Sequence, residues 1–201
     1  MYIRTLLLSM LVLLCGSAAM AQQPGPQFWR KVGCEPFEPR TRLETLNDRY
    51  NAVIIKGFTR ITTVEVRGVR IDAVEMRDLW KSSDNRGVLF AKGLVVVLRE
   101  GGERPGDNRA FVDFEEIDPL LNAIDTISQV DETATKLVGF EGKYKTMGDL
   151  EISVFRQTRS GTAVIISTGI CDRPQVTLTL DDLAKIKAQI QEAKARLDEI
   201  R

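Results

Sequence analysis

Two stretches, VTLTLDD at Val176–Asp182 and FVDFEEI at Phe111–Ile117, decide the fold. In each, an alternating apolar run stops and an amphipathic helix begins at once. Thr179 and Asp113 fall at corresponding positions as N-caps, whose side-chain oxygens accept from the free N–H groups of a first helical turn. Asp182 and Glu116 follow at capping-box spacing, while Asp181 and Glu115 complement the positive end of the helix dipole. Further in, Ile117, Leu120, Ile124 and Ile127 correspond to Leu183, Ile186, Ile190 and Ala193, one buried stripe in each helix. Leu197 and Ile200 continue the second stripe, which suits burial on its own sheet or pairing with a partner helix. Pro119 lies too deep for a helix capped at Asp113, so the regular helix is expected from Asp118 with Pro119 as its first helical residue.

Strands precede both junctions. ITTVEVRGVRIDAVEM reads as two strands joined at Arg67 and Gly68, with Val64 and Val66 on one face and Ile71 among the returning apolar positions. GVLFAKGLVVVLRE is more continuously apolar and is expected to be central, GGERPGDN is a polar turn, and RAFVDF is a short strand. In the second half Val138, Phe140 and Tyr144 share a face opposite Glu141, Lys143 and Lys145. TMGD turns the chain, and Leu150, Ile152 and Val154 alternate with Glu151, Ser153 and Phe155. GTAVIISTGI and QVTLTL complete the set, and DETATK connects the halves.

The order predicts an α+β fold of antiparallel sheets with two covering helices, a duplicated ββββα unit in which each sheet is covered by its own helix. The expected organisation is a signal peptide at 1–21, an irregular segment at 22–49, and units at 50–132 and 133–201 that form one compact domain. One continuous antiparallel sheet with two helices on a face is the competing architecture.

The first 21 residues have the plan of an export leader: Arg4, a ten-residue apolar run from Leu6 to Cys15, and small residues Ala19 and Ala21 before a cut near Gln22. The apolar run is shorter than the roughly 20 residues that span a bilayer, so no transmembrane anchor is expected after cleavage. Leu14 before Cys15 argues against lipid attachment. The predicted location is the periplasm or the extracellular space. Of three cysteines, Cys34 and Cys171 remain in the mature chain and are expected to form a disulfide.

The whole chain balances 28 basic against 28 acidic side chains, so no strong electrostatic partner is implied overall. The charges are unevenly placed: residues 56–109 carry 11 basic and 8 acidic groups, and residues 110–201 carry 11 and 16. With no histidine, Ser-His-Asp, Cys-His and zinc-histidine chemistries are excluded. Asp113, Glu115, Glu116 and Asp118 crowd together as general acid and base groups or calcium ligands would, but a helix start accounts for them and the calcium-loop spacing is absent. Lys143, Tyr144 and Lys145 are the candidate nucleic-acid contact, a basic pair around an aromatic ring. No metal or other cofactor is expected.

Four strands followed by a helix, twice over, resembles the whirly-type fold of single-strand DNA-binding proteins. These include transcriptional coactivators whose last unit ends in a passage like PQVTLTLDDLAKIKAQIQEAKARL. The likeness covers most of residues 60–200, rests on element order and that junction, and brings no binding motif with it. It implies single-stranded nucleic-acid binding, against which near-neutral charge and export both count. The chain also resembles small exported bacterial proteins of unknown function. The leading expectation is therefore a noncatalytic envelope protein that binds a protein or glycan. Single-stranded nucleic-acid binding and a carboxylate-based hydrolase are the alternatives.

Overall fold

The computed structural model describes residues 38–61, 65–79, 89–99, 108–131, 133–157, 161–169 and 173–200. A short helix α1 (Arg42–Asn47) leads into strands β1 (Ile54–Arg60), β2 (Val69–Asp78), β3 (Phe90–Leu98) and β4 (Arg109–Asp113). A 3-10 turn at Phe114–Glu116 opens helix α2 (Ile117–Ser128). Strands β5 (Glu141–Lys145), β6 (Glu151–Gln157), β7 (Gly161–Ser167) and β8 (Gln175–Leu178) follow, then helix α3 (Leu180–Asp198). The strands form two four-stranded antiparallel sheets, each in chain order. The α+β class and the repeated order of four strands and a helix match the expectation from the two junctions.

Local chemistry explains the elements. Arg67 and Gly68 take φ of 52° and 81° between the bridged Val66 and Val69, the left-handed pair that a two-residue hairpin turn requires. Thr179 caps α3 as read: its hydroxyl accepts from Asp182 N–H at 3.1 Å and the Asp182 carboxylate accepts from Thr179 N–H at 3.2 Å. In α2 the regular helix begins one residue before the expected Asp118. Pro119 then lies in the first turn, where a missing N–H leaves no intrahelical bond unmade.

Three expectations need correction. The first strand is IIKGFTR, upstream of ITTVEV. In the described part of that segment, Ile61 N–H donates to the Ile71 carbonyl and Val66 makes a single bridge. Val138 lies outside β5 and is exposed, whereas Phe140 and Tyr144 pack against the core. The helices also do not each cover their own sheet. Helix α2 lies against β5 and β6 of the second sheet, and α3 lies most extensively on β2 of the first while also meeting β7 and β8.

Charged contacts accompany this exchange. Arg67 in the first hairpin pairs with Asp182 at the start of α3 (3.3 Å). Lys92 of β3 donates to the Leu197 and Ile200 carbonyls at the other end (2.8 and 2.9 Å), where a cation meets the negative end of the helix dipole. Helices α2 and α3 run antiparallel, joined by Lys194–Asp118 at 3.1 Å and by Lys187–Asp125. Both stripes enter one core with Ile71, Leu94 and Val112 of the first sheet and Ile152, Val164 and Leu178 of the second.

The opposite face of the first sheet carries a second core. Within the segment read as irregular, TRLETLN forms α1 because Thr41 and Glu44 make a capping box and Leu43 and Leu46 point at the sheet. The two leucines are buried with Val74, Met76, Ala91, Val95 and Phe111.

Candidate functional site

The carboxylates at the first helix start all hold structural partners. Asp113 forms the capping box with Glu116 at its own helix start, and its carboxylate also accepts from Arg42 N–H at 2.7 Å and Leu43 N–H at 3.1 Å, the free donors of α1. Glu115 pairs with the Arg42 guanidinium, and this contact first of all holds its carboxyl below the ordinary range. Glu116 accepts from Met147 N–H at 2.8 Å and from Asp113 N–H at 3.4 Å. Asp118 pairs with Lys194. The sequence places these four together, and the structure divides them among α1, the β5–β6 hairpin and α3. Among the described residues no group of three or more potential ligands is arranged to hold a metal ion.

Lys143, Tyr144 and Lys145 lie on β5, so alternation sends the lysines to one face and the ring to the other. Lys143 pairs with Glu141 at 3.6 Å and Glu151 at 3.3 Å, and Lys145 with Asp149 at 2.6 Å. Tyr144 packs against the main core, where burial and then Glu116 raise its phenol above the usual range. Arg173 and Arg40 add further cations on Glu151 and Asp149. The result is a neutralised ion-pair network on one face and a core tyrosine on the other. Cys34 and Cys171, the expected disulfide, lie outside the described residues.

Among the described residues a different surface carries outward hydrogen-bonding groups. Strand β1 ends the first sheet, and among the described residues it pairs only with β2. Leu79 N–H donates to the Val53 carbonyl and Ile61 N–H to the Ile71 carbonyl. Antiparallel bonding alternates, so the N–H and C=O groups of Ile54, Lys56, Phe58 and Arg60 face away from the sheet. Phe58 is 68% exposed and Ile55, on the other face, 51%.

The face that carries Phe58 is cationic beyond the reach of α1. Register places Arg60 beside Asp72, Val95 and Phe111 in one row, and Arg70 beside Val97 and Arg109 in the next. Asp72 is shared by Arg60 at 3.8 Å and Arg70 at 3.2 Å. Lys56 lies 5.8 Å from the Phe111 ring centroid. Among the described residues neither Lys56 nor Arg109 has an ion-pair partner. Burial and then Arg109 lower the Lys56 ammonium below its usual range, with Arg70 adding to the effect and Asp72 opposing it.

This strand was missed in the sequence because NAVIIKGFTR neither alternates nor runs apolar for long. The usable signal was the excess of cations between residues 56 and 109. No protein-family model, curated protein or solved structure matches this chain. Among the described residues no helix is long and apolar enough to cross a membrane.

Proposed function

We propose that this chain is an exported, noncatalytic module that holds a macromolecular partner along the open edge of β1. The observation that carries the proposal is the edge itself, a seven-residue strand with outward N–H and C=O groups and an exposed phenylalanine. Such an edge binds extended polypeptide by main-chain hydrogen bonds, with alternate side chains supplying selectivity. Export is supported by Arg4, the apolar run and Ala19 and Ala21. A noncatalytic role is supported by the absence of histidine and by the structural partners already held by Asp113, Glu115, Glu116 and Asp118.

A photoreactive benzoylphenylalanine in place of Phe58, in mature protein mixed with envelope extract, tests the surface. The same label in place of Glu192 on the exposed side of α3 is the control. A discrete adduct at position 58 and none at 192 is the expected result. Adducts at 192 alone, or none at either position, contradict the proposal.

A further inference from the structure

The geometry points to an extended acidic polypeptide segment as the occupant of the β1 edge, bound as an added strand with its carboxylates facing Lys56, Arg60, Arg70 and Arg109. This rests on β1 being the working edge and adds the chemistry of what fills it. Residues directly opposite on neighbouring strands put their side chains on the same face. A strand bonded to the outward groups of Lys56, Phe58 and Arg60 therefore directs alternate side chains onto the cationic face, next to those three. Arg70 and Arg109 lie in the adjoining row. Asp72, beside Arg60, is already shared by two arginines, and Asp113, at the far end of the Phe58 row, is taken up by α1. Lys56 and Arg109 are left to be neutralised from outside. Opposite-charge cross-strand pairs then favour acidic residues at alternate positions, the ones whose side chains share the face of Lys56 and Arg60.

Two other occupants fit less well. A second copy pairing antiparallel through β1 has its two-fold axis perpendicular to the sheet, so both cationic faces lie on the same side and repel. Charged side chains on an edge strand act against self-pairing in this way. A single-stranded nucleic acid meets the cations but lacks the alternating donors and acceptors that complete a β-ladder. Single-strand binders also stack successive bases on several rings, and among the described residues Phe58 alone is exposed among the aromatics of this face.

The test measures binding of the mature protein to a short synthetic peptide alternating glutamate and valine, at low and at physiological ionic strength. A threonine–valine peptide, an oligothymidylate and the protein's own sedimentation serve as comparisons. Two variants probe separate parts of the claim. Lys56→Glu with Arg109→Glu reverses charge without touching the backbone. Phe58→Pro removes an outward N–H and leaves the bonds to β2 intact, as proline does on an edge strand. Urea midpoints close to the parent's show that both variants fold.

The acidic peptide is expected to bind about tenfold more tightly than the neutral one, and charge reversal is expected to erase that advantage. Binding of both peptides should be lost in Phe58→Pro. Equal binding of the two peptides, both lost with proline, overturns the acidic occupant and leaves the edge standing. Failure of both peptides, or binding indifferent to proline, overturns the edge as well. Oligothymidylate binding that depends on Lys56 and Arg109, without peptide binding, assigns the face to nucleic acid and overturns the proposal. A dimer abolished by Phe58→Pro assigns the edge to a second copy and overturns it likewise.

Discussion

Replacing Gly148 with alanine should be among the most damaging small substitutions in the chain. Gly148 bridges to Phe111 where the β5–β6 hairpin meets the outer edge of β4. A Cβ there falls 1.9 Å from the Phe111 carbonyl oxygen, 2.9 Å from its carbonyl carbon and 3.1 Å from Thr41 Cγ2. The Phe111 backbone has no room to retreat, because β4 is bonded to β3 on its other side and the ring is buried beneath α1. The hairpin must move instead, and its neighbour Met147 then loses the hydrogen bond to Glu116. Overpacking costs about 1–3 kcal/mol. A lost hydrogen bond to a charged group adds about 1.5–3 kcal/mol. The sum is about 2.5–6 kcal/mol, discounted toward the lower half because the hairpin can relax. Urea unfolding followed by far-UV dichroism measures it as a lower midpoint at unchanged slope. Gly139→Ala is the internal control, since nothing lies within 4 Å of a Cβ at that position. A Gly148→Ala loss below about 0.5 kcal/mol, the size of an ordinary surface substitution, would refute the close approach.

The remaining predictions concern caps, protons and covalent structure. Asp113→Ala should lower stability by about 1–2 kcal/mol by uncapping α1, and amide exchange at Arg42 and Leu43 should quicken. Unchanged exchange at those two amides contradicts the nonlocal cap. Glu115 and Asp182 are held below the ordinary carboxylate range by their hydrogen bonds to Arg42 and to Thr179. Burial raises Glu151, but Arg173 and Lys143 outweigh it and hold that group low too. A depressed folded pKa gives stability that is complete above the unfolded value and is lost as pH falls through the folded one. The urea midpoint should therefore stay nearly level between about pH 6 and 8, with no histidine to titrate, and decline below about pH 4. A decline already under way at pH 6 would contradict this. Intact-mass and non-reducing peptide mapping of secreted material should give a start near Gln22 and one Cys34–Cys171 linkage. Two alkylatable thiols in that material would contradict the linkage.

Local signals carried far in the sequence and nonlocal ones did not. Thr179 and Asp182, the stripe from Leu183 to Leu197, the Arg67–Gly68 turn and the strand from Phe90 to Leu98 each advertise themselves within a few residues. The capping-box pattern of Thr41 and Glu44 was equally available, but six helical residues are too few to show a periodicity. Asp113 stands in the capping box that its local spacing announces, but its second use, on a helix some seventy residues earlier, leaves no local trace. The exchange of helices between sheets leaves no trace in periodicity, because a stripe such as Ile117–Ile127 looks the same whichever sheet it covers. At the candidate site, the excess of cations was visible as composition. Only the pairing register placed Arg60, Arg70 and Arg109 on the face of Phe58, away from the lysines of β5 that local aromatic and basic content singled out.

Residue-resolved amide hydrogen exchange on the protein, with and without the glutamate–valine peptide, tests most directly whether β1 is the working edge. In the free protein the N–H groups of Gly57 and Thr59, which face β2, should exchange slowly, and those of Lys56, Phe58 and Arg60 quickly. With peptide, the three outward amides should slow while β5 is unchanged. Protection that appears instead around Lys143 and Lys145, or outward amides already slow in the free protein, would contradict an open edge that receives a strand.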